Sequence, residues 1–293
     1  MLTFVGLCIL RLVAEQATKK VMGVAPSKLE EDDRSLIKAL DILTLLKVDL
    51  DEAQRDNPRQ ALSDYLIESP CDTLGEYMLS LVDTLYKQEQ LERPPFKSEQ
   101  VEAFSIGEYQ FVLLLGDITK VHTDGIVNAA NYGLTGCYKP GHACVDNAVH
   151  RAAGPRLRVA CKNQVARNPK AQALLTPGFW LPSKWVIHVV GPNLPAFSCV
   201  PTSHHVGQLK ECYTYAMSVA SSTNMHSLAF CAISTGLYNF PAEQAAKIAV
   251  ASCTEFVRKT KECSLRQIVF VVNNPTNKEA YLKAFQDFLG GYA

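Results

Sequence analysis

Three side chains that bind soft metal ions, Cys137, His142 and Cys144, occur within eight residues of one another, with a Pro-Gly pair between them. One turning loop can therefore bring all three to one point. Catalytic zinc sites use three protein ligands and leave a fourth position open. A structural site needs a fourth ligand, for which Cys161 and His205 are candidates. The alternative without metal is two buried cysteines beside a solvated histidine.

An acidic and a basic residue follow this loop. Asp146 and His150 are four positions apart and so share one face of a predicted helix. Asp146 is at the helix start, where the helix dipole favours its charge. Close to a zinc ion it can orient a water or accept its proton. The alternatives are a simple helix cap for Asp146 and a packed, hydrogen-bonded side chain for His150.

Two further segments carry groups suited to a nucleotide. Asn128 and Asn131 follow an apolar run and offer donors and acceptors for the paired hydroxyls of a ribose. The alternative is a turn in which the asparagines bind their own backbone. Small and glycine residues in 234–241 let backbone amides approach a phosphate, with a predicted helix start beyond them. A plain turn is the other interpretation.

The elements that must position these residues alternate along the chain. Uninterrupted apolar runs predict strands buried on both faces at 111–115, 125–127, 185–190, 227–233 and 267–272. Helical periodicity predicts helices at 145–159, 209–222, 242–260 and 277–288. This alternation indicates an α/β sandwich, in which ligands bind beyond the carboxyl ends of the strands. The polar and glycine clusters follow five of these strands.

The first third of the chain has a helical pattern and lacks the alternation of strands and helices. Residues 1–95 are predicted to be a helical region that packs on the following domain, with Pro94-Pro95 as a break before residues 96–293. The apolar run at 1–10 is shorter than the roughly 20 residues of a membrane span and lacks the positive start of a signal peptide. It predicts a buried helix start, with organelle targeting as the alternative.

Bulk composition restricts the classes of function. The formal net charge is zero, which gives no sign of the basic face that nucleic-acid binding uses. The ten cysteines are scattered over 293 residues, which is typical of reduced, intracellular thiols. No Gly-x-Ser-x-Gly elbow supports a serine hydrolase. We therefore expect neither nucleic acid nor a membrane as partner.

Five segments, in this order, resemble the motifs of the macrodomain family: residues 116–119, 128–131, 146–154, 186–192 and 233–241. The resemblance covers about residues 104–290. The family's loop after the paired asparagines is usually glycine-rich, whereas here it carries Cys137, His142 and Cys144. In this the chain resembles the zinc-containing macrodomains linked to class M sirtuins, which also carry a helical segment ahead of the macrodomain. The resemblance implies a three-layer α/β/α sandwich with a mixed central sheet, preceded by an α-helical N-terminal segment.

The resemblance also implies roles for individual residues. Asp117 would accept a hydrogen bond from the adenine amino group, with the Ile118 amide beside it. Asn131, its loop supported by Asn128, would meet the distal ribose. The diphosphate would lie within the segment formed by Ser234, Thr235, Gly236, Leu237 and Tyr238. The place of the adenine-stacking residue is taken by Asn273-Asn274 and stays unassigned.

At the reacting end, the resemblance implies that Cys137, His142 and Cys144 hold Zn²⁺ against the distal ribose. Asp146 would help to place or deprotonate the attacking water. The implied activity is removal of mono-ADP-ribose from modified proteins by a monomeric, intracellular enzyme, cytoplasmic or, as an alternative, mitochondrial. The rival functions are a reader module that only binds ADP-ribose and a scaffold that zinc merely stabilises.

Overall fold

The computed structural model describes residues 31–69, 74–92, 99–195 and 200–290. The chain divides into two compact units, Met1–Arg93 and Pro94–Ala293. Among the described residues, no helix has both the length and the apolar character needed to span a bilayer. The apolar run at 1–10 and the Pro94-Pro95 pair lie outside these residues, so the organelle-targeting alternative stays a prediction.

The first unit is helical in its described part, as the sequence predicts. Its helices are α1 (Glu31–Leu45), α2 (Glu52–Asp56), α3 (Pro58–Glu68) and α4 (Glu76–Glu92). Asp51 forms a capping box at the start of α2, and Asn57 caps α3 just before a proline, the residue best suited to a first helical position. Fully buried Leu43, Leu62 and Val82 lie on three of these helices, so an apolar core holds the unit together.

The second unit is built on a mixed seven-stranded sheet of order β1-β2-β7-β6-β3-β5-β4. The five central strands, from β2 to β5 in this order, are parallel, and the edge strands β1 and β4 run antiparallel to their neighbours. The strands are β1 (Glu99–Ile106), β2 (Tyr109–Leu115), β3 (Gly125–Ala129), β4 (Ala173–Pro177), β5 (Trp185–Val189), β6 (Ser227–Cys231) and β7 (Gln267–Val272). The predicted mixed α/β architecture is confirmed, and the two antiparallel edges are additions that the apolar runs did not predict.

Helices flank this sheet. They are α5 (Val145–Ala153), α6 (Pro155–Arg167), α7 (Ser203–Ser222), α8 (Ala242–Lys259) and α9 (Pro275–Gly290), together with a 3₁₀ helix at Ile118–Lys120. The prediction of one helix at 145–159 is wrong. Gly154 has φ 82°, a left-handed conformation that glycine adopts readily, and Pro155 begins a new helix. The chain therefore changes direction directly after α5.

The parallel strands place the predicted site residues at one edge. Because β2, β7, β6, β3 and β5 are parallel, the segments after their carboxyl ends meet there. Those after β3 and β6 come from adjacent strands and carry the asparagines and the small-residue segment. Asn128 lies within β3 rather than after it, because the strand runs to Ala129. The fold thus brings together residues more than 100 positions apart in the chain.

Candidate active site

The ligand loop, residues 136–144, folds its three candidate ligands onto one point. The Nδ1 atom of His142 lies 3.3 Å from the Sγ atom of Cys137 and 3.2 Å from that of Cys144. All three ligand atoms lie within 4.8 Å of one another, and all three residues are half-buried. Two ligand atoms on one tetrahedral zinc ion stand about 3.5 Å apart. The loop therefore presents an N/S donor set with the spacing that a shared metal ion requires.

Both thiols of the loop accept hydrogen bonds from backbone amides. The Lys139 amide donates to Cys137 Sγ at 3.5 Å, and the Asn147 amide donates to Cys144 Sγ at 3.3 Å. The second contact makes Cys144 the N-cap of α5. Burial raises the pKa of the Cys144 thiol to about 11, and the neighbouring Cys137 and Asp146 add to this effect. Such amide contacts orient a cysteine ligand and stabilise its thiolate.

Neither candidate for a fourth protein ligand joins the loop among the described residues. Cys161 is buried beside His188, with Sγ 3.7 Å from Nε2, and groups with His150 and His188 instead. His205 is three residues past Thr202 and completes the capping box at the start of α7. Among the described residues, no further His, Cys, Asp or Glu side chain joins the three of the loop.

His188 is a satisfied core histidine, as its place in a buried strand predicts. Its Nδ1 accepts from the Asn128 side-chain amide at 3.1 Å, and its Nε2 lies 3.0 Å from Thr176 Oγ1. Burial lowers the pKa of His188 to about 3, so the ring is neutral near pH 7. These two contacts occupy both ring nitrogens of His188.

Asp146 lies in the first turn of α5 and is 5% exposed. Its carboxylate accepts hydrogen bonds from the Asn128 side chain at 2.8 Å and from the backbone amide of Asn131. Burial raises the pKa of Asp146, while these two hydrogen bonds and the charge of Arg158 oppose the rise. The carboxylate thereby ties both predicted ribose-binding asparagines to the start of the helix that follows the ligand loop.

His150 is buried under the ligand loop. A Cβ atom on Gly136 would lie 2.6–2.7 Å from three of its ring atoms, so only glycine can pass over this ring. Burial, aided by His188 and Arg158, lowers the pKa of His150 well below its usual value, so its 3.7 Å approach to Asp146 is not an ion pair. Neither ring nitrogen has a hydrogen-bond partner among the described residues. His150 is therefore packed, as the alternative interpretation predicts, but its ring lacks the predicted hydrogen bond.

The Asn131 side chain is fixed through its nitrogen, while its oxygen has no hydrogen-bond partner among the described residues. Its Nδ2 donates to the Gly136 carbonyl oxygen at 3.0 Å, which joins it to the ligand loop. Its Oδ1 is buried and has no partner among the described residues. A buried acceptor without a partner is costly unless a ligand or water satisfies it. The next residue, Tyr132, is 68% exposed and stacks on Tyr238 with ring centroids 6.1 Å apart.

The segment after β6 keeps several polar groups without partners. Ser234 adopts φ 65°, and its buried Oγ has no partner among the described residues. Gly191 allows this approach, because a Cβ there would lie 2.2 Å from Ser234 Oγ. The amides of Gly236, Leu237 and Tyr238 donate to no backbone carbonyl in the described chain. Free amides before a helix start are a binding site for phosphate oxygens.

Around this turn, Thr235 receives a hydrogen bond from the Asn277 side chain at 3.1 Å, which connects it to α9. Leu237 is 61% exposed. The Leu194 amide donates to the Tyr238 carbonyl at 2.9 Å. Helix α8 begins directly after Pro241 without a side-chain cap. The turn is therefore fixed at its flanks and open at its centre.

The predicted adenine-binding residues begin the 3₁₀ helix after β2. Asp117 caps this helix through Oδ1, which accepts from the Thr119 amide at 2.9 Å and from its hydroxyl at 2.7 Å. Ile118 is buried at 5% exposure. The 3₁₀ helix packs against α5 and β6, so it belongs to the same edge of the sheet as the other segments.

Sequence reasoning missed two residues that hold the ligand loop. Asn147 donates from Nδ2 to the Lys139 carbonyl at 2.7 Å. Arg158 is 2% exposed and donates to loop carbonyls. The signal for Arg158 was present, because Leu157 and Cys161 mark the buried face of α6 on both sides of it. No residue pattern predicts that the Asn147 side chain binds the Lys139 carbonyl, because an asparagine at a helix start also fits an ordinary cap.

Comparison with known proteins agrees with this geometry. Residues 127–249 match the model of the Macro domain family. The Protein-ADP-ribose hydrolase of Treponema medium is 42% identical over 172 residues, and that of Staphylococcus aureus is 36% identical over 174. These alignments cover 57% and 58% of this chain and 64% of each relative. The chain thus spans less than two thirds of the length of these relatives.

A solved structure extends the comparison to the whole domain. A point mutant of the Oceanobacillus iheyensis macrodomain with ADPR is 30% identical and superposes with a TM-score of 0.57. The match covers 64% of this chain and 98% of that one. The edge of the sheet that holds the unpartnered polar groups is the edge to which the five family-like segments contribute. The chain belongs to the macrodomain family.

Proposed function

We propose that this protein is a zinc-dependent hydrolase that removes mono-ADP-ribose from modified proteins. One observation carries the proposal: Cys137, His142 and Cys144 converge beside the asparagines expected to hold the distal ribose. A module that only binds ADP-ribose has no need of this donor set. The names of the relatives from Treponema medium and Staphylococcus aureus support the same activity.

The donor set of the ligand loop fits zinc. Two thiolates and one imidazole are borderline to soft ligands, which Zn²⁺ prefers over the oxygen ligands that Mg²⁺ and Ca²⁺ take. Both sulfur atoms already accept amide hydrogen bonds. A zinc ion held there supplies Lewis acidity toward a ribose oxygen or a water molecule.

The residues of the chain position the ADP-ribose unit. The amides of Gly236, Leu237 and Tyr238 are free to bind the diphosphate, and the buried Ser234 hydroxyl in the same segment has no partner among the described residues. Asn131 Oδ1 is free to accept a hydrogen bond from a ribose hydroxyl. Fixing the substrate at both ends of the ribose supplies the positioning part of the rate enhancement.

Asp146 acts close to the reacting ribose through its hydrogen bonds. Its carboxylate fixes the backbone of Asn131 and the side chain of Asn128 and lies two residues past Cys144. In this role it orients Asn131 toward the ribose and places the attacking water. Asp117 and Ile118 bind adenine at the same edge of the sheet.

The test is a release assay run beside a binding measurement. Zinc-loaded, chelator-treated and zinc-restored protein are each given mono-ADP-ribosylated substrates with acyl, O-, N- and S-glycosidic links, and ADP-ribose binding is measured by calorimetry. We expect release to be lost on chelation and restored by zinc, with ADP-ribose binding largely kept.

Other outcomes separate the rival functions. Full release by protein shown to be metal-free contradicts zinc dependence. Tight ADP-ribose binding without release from any of the substrates indicates a reader module. Parallel loss of release, ADP-ribose binding and thermal stability on chelation indicates a zinc-stabilised scaffold.

A further inference from the structure

Arg158 lies outside the proposed reaction but touches the ligand loop at several points. It is in the first turn of α6 and is 2% exposed. Its Nη1 donates to the Thr135 carbonyl oxygen at 2.8 Å and, more weakly, to that of Gly136 at 3.5 Å. Its Nη2 donates to the carbonyl oxygen of Cys137 at 2.9 Å. One guanidinium thus binds three successive carbonyls at the entry to the loop.

The same guanidinium has a ring on its face. Its central carbon lies 4.0 Å from the centroid of the Tyr138 ring, within the range of a cation–π interaction. Tyr138 is 39% exposed and immediately follows the ligand residue Cys137. Arg158 is therefore enclosed by the backbone of residues 135–137 on its edge and by the side chain of residue 138 on its face.

This environment is unusual for a buried arginine. Arg158 keeps its charge, and a buried charge is tolerated only when its donors are satisfied. Among the described residues it forms no ion pair with a carboxylate, and its acceptors are carbonyl oxygens of the loop. The dependence is mutual, because the guanidinium needs acceptors for its donors and the carbonyls at the entry to the loop need donors.

We propose that Arg158 is the positioning residue of the metal-binding loop. By drawing the carbonyls of residues 135–137 inward, it fixes the backbone of Cys137 so that the thiol projects toward His142 and Cys144. The inference rests on the proposed function in one respect, namely that the loop binds zinc. It adds that zinc affinity depends on a helix that contributes no ligand.

Two parallel N–H donors of the guanidinium fix the loop carbonyls, and a positive charge alone would not do so. The charge of Arg158 also acts on Asp146, so removing it would change two things together. Lysine keeps the positive charge but offers one compact group in place of two parallel donors. Arg158→Lys therefore separates the hold on the loop from the charge. Arg167→Lys is the matched control, an exposed arginine at the end of the same helix.

The experiment measures metal binding apart from turnover. Zinc affinity is determined by competition with a chromophoric chelator, and Co²⁺ is added to read ligand geometry from the d–d and thiolate charge-transfer bands. We expect Arg158→Lys to bind zinc about ten- to hundredfold more weakly, as when an outer partner of a metal ligand is lost. We also expect altered Co²⁺ bands, an intact fold by circular dichroism and wild-type behaviour of Arg167→Lys.

A second variant keeps the inference testable if Arg158→Lys does not fold. Tyr138→Ala removes only the ring on the guanidinium from a half-exposed position, and we expect zinc affinity to fall about two- to fivefold. The positioning role is overturned if folded Arg158→Lys binds zinc within twofold of wild type. If Arg158→Lys does not fold, unchanged zinc affinity in Tyr138→Ala overturns it. Wild-type protein that binds neither zinc nor Co²⁺ overturns the metal site itself, which distinguishes failure of the proposed function from failure of this inference.

Discussion

Two groups of histidine and cysteine in this protein have similar composition and opposite character. The ligand loop brings together Cys137, His142 and Cys144, all half-buried, and the interior brings together His150, Cys161 and His188, all buried. In the interior group His188 has an amide and a hydroxyl as partners. In the loop the histidine nitrogen faces two thiols that accept amide hydrogen bonds. Residue type alone therefore does not distinguish the two groups, which differ in burial and in the hydrogen bonds of their central histidines.

The largest expected effect comes from removing one ligand of the loop. Cys144→Ser keeps an oxygen that can accept from the Asn147 amide and so preserves the cap of α5. We expect zinc to be lost and ADP-ribose release to fall at least about hundredfold, because serine is a poor zinc ligand. Metal analysis and the release assay measure this. Wild-type zinc content and release in Cys144→Ser would contradict the assignment.

Next in size is the effect of removing the central member of the interior group. His188→Ala leaves a cavity and strips the buried Thr176 hydroxyl of its partner. We expect the free energy of unfolding to fall by about 2–4 kcal/mol with zinc content unchanged. Denaturant unfolding and metal analysis check the two parts. Cys161→Ala is the matched control in the same group, with an expected loss of about 1 kcal/mol. Loss of zinc in His188→Ala would mean that the two groups are not independent.

The interior group also predicts a dependence of stability on pH. The pKa of His188 is lowered to about 3 in the folded state, against about 6.5 when unfolded. Below pH 6.5 the unfolded chain takes up a proton that the folded chain refuses, so stability is full above pH 6.5 and falls as the pH falls toward 3. The contribution is about 1.4 kcal/mol per pH unit. His150, whose pKa is also lowered, acts with the same sign.

Denaturant titrations at pH 7, 6 and 5 measure this slope. Zinc release in acid is avoided by using Cys144→Ser as the background. In that background, we expect the free energy of unfolding of His188→Ala to depend less steeply on pH. The difference in slope should correspond to the uptake of one proton. Equal slopes with and without His188 would show that the histidine is not held neutral by its burial.

The smallest effect tests whether His205 belongs to either group. Its ring caps α7 with Thr202, so His205→Ala should lower the free energy of unfolding by about 0.5–1 kcal/mol. We expect zinc content and release to be unchanged. A fall in zinc content would support the scaffold alternative, in which His205 completes the coordination sphere.

Much of the fold was predictable from the sequence because the parallel strands are buried on both faces and read as apolar runs. The edge strands were missed for the converse reason. Strand β1 mixes charged and apolar residues, and the five-residue β4 ends in proline, so neither resembles an inner strand. The break at Gly154 was missed because helical periodicity continues in register on both sides of it.

The candidate site was predictable in its residues but not in its contacts. The spacing of Cys137, His142 and Cys144 allowed them to converge, with two buried cysteines beside a solvated histidine as the alternative, and the resemblance to zinc-containing macrodomains favoured convergence. That Asp146 is buried and bonded to Asn128 and the Asn131 amide depends on how α5 packs on β3, and no local pattern encodes this. The partners of Arg158 likewise arise only after the chain has turned at Gly154.

That turn has a practical meaning for anyone who wishes to graft this chemistry onto a related protein. The nine residues of the ligand loop are not a transferable cassette by themselves. A working transplant also needs His150, over which Gly136 of the loop passes, the Gly154-Pro155 corner that redirects the chain, and Arg158 three residues beyond it. The portable unit runs from residue 135 to residue 158 and carries two helix starts with it.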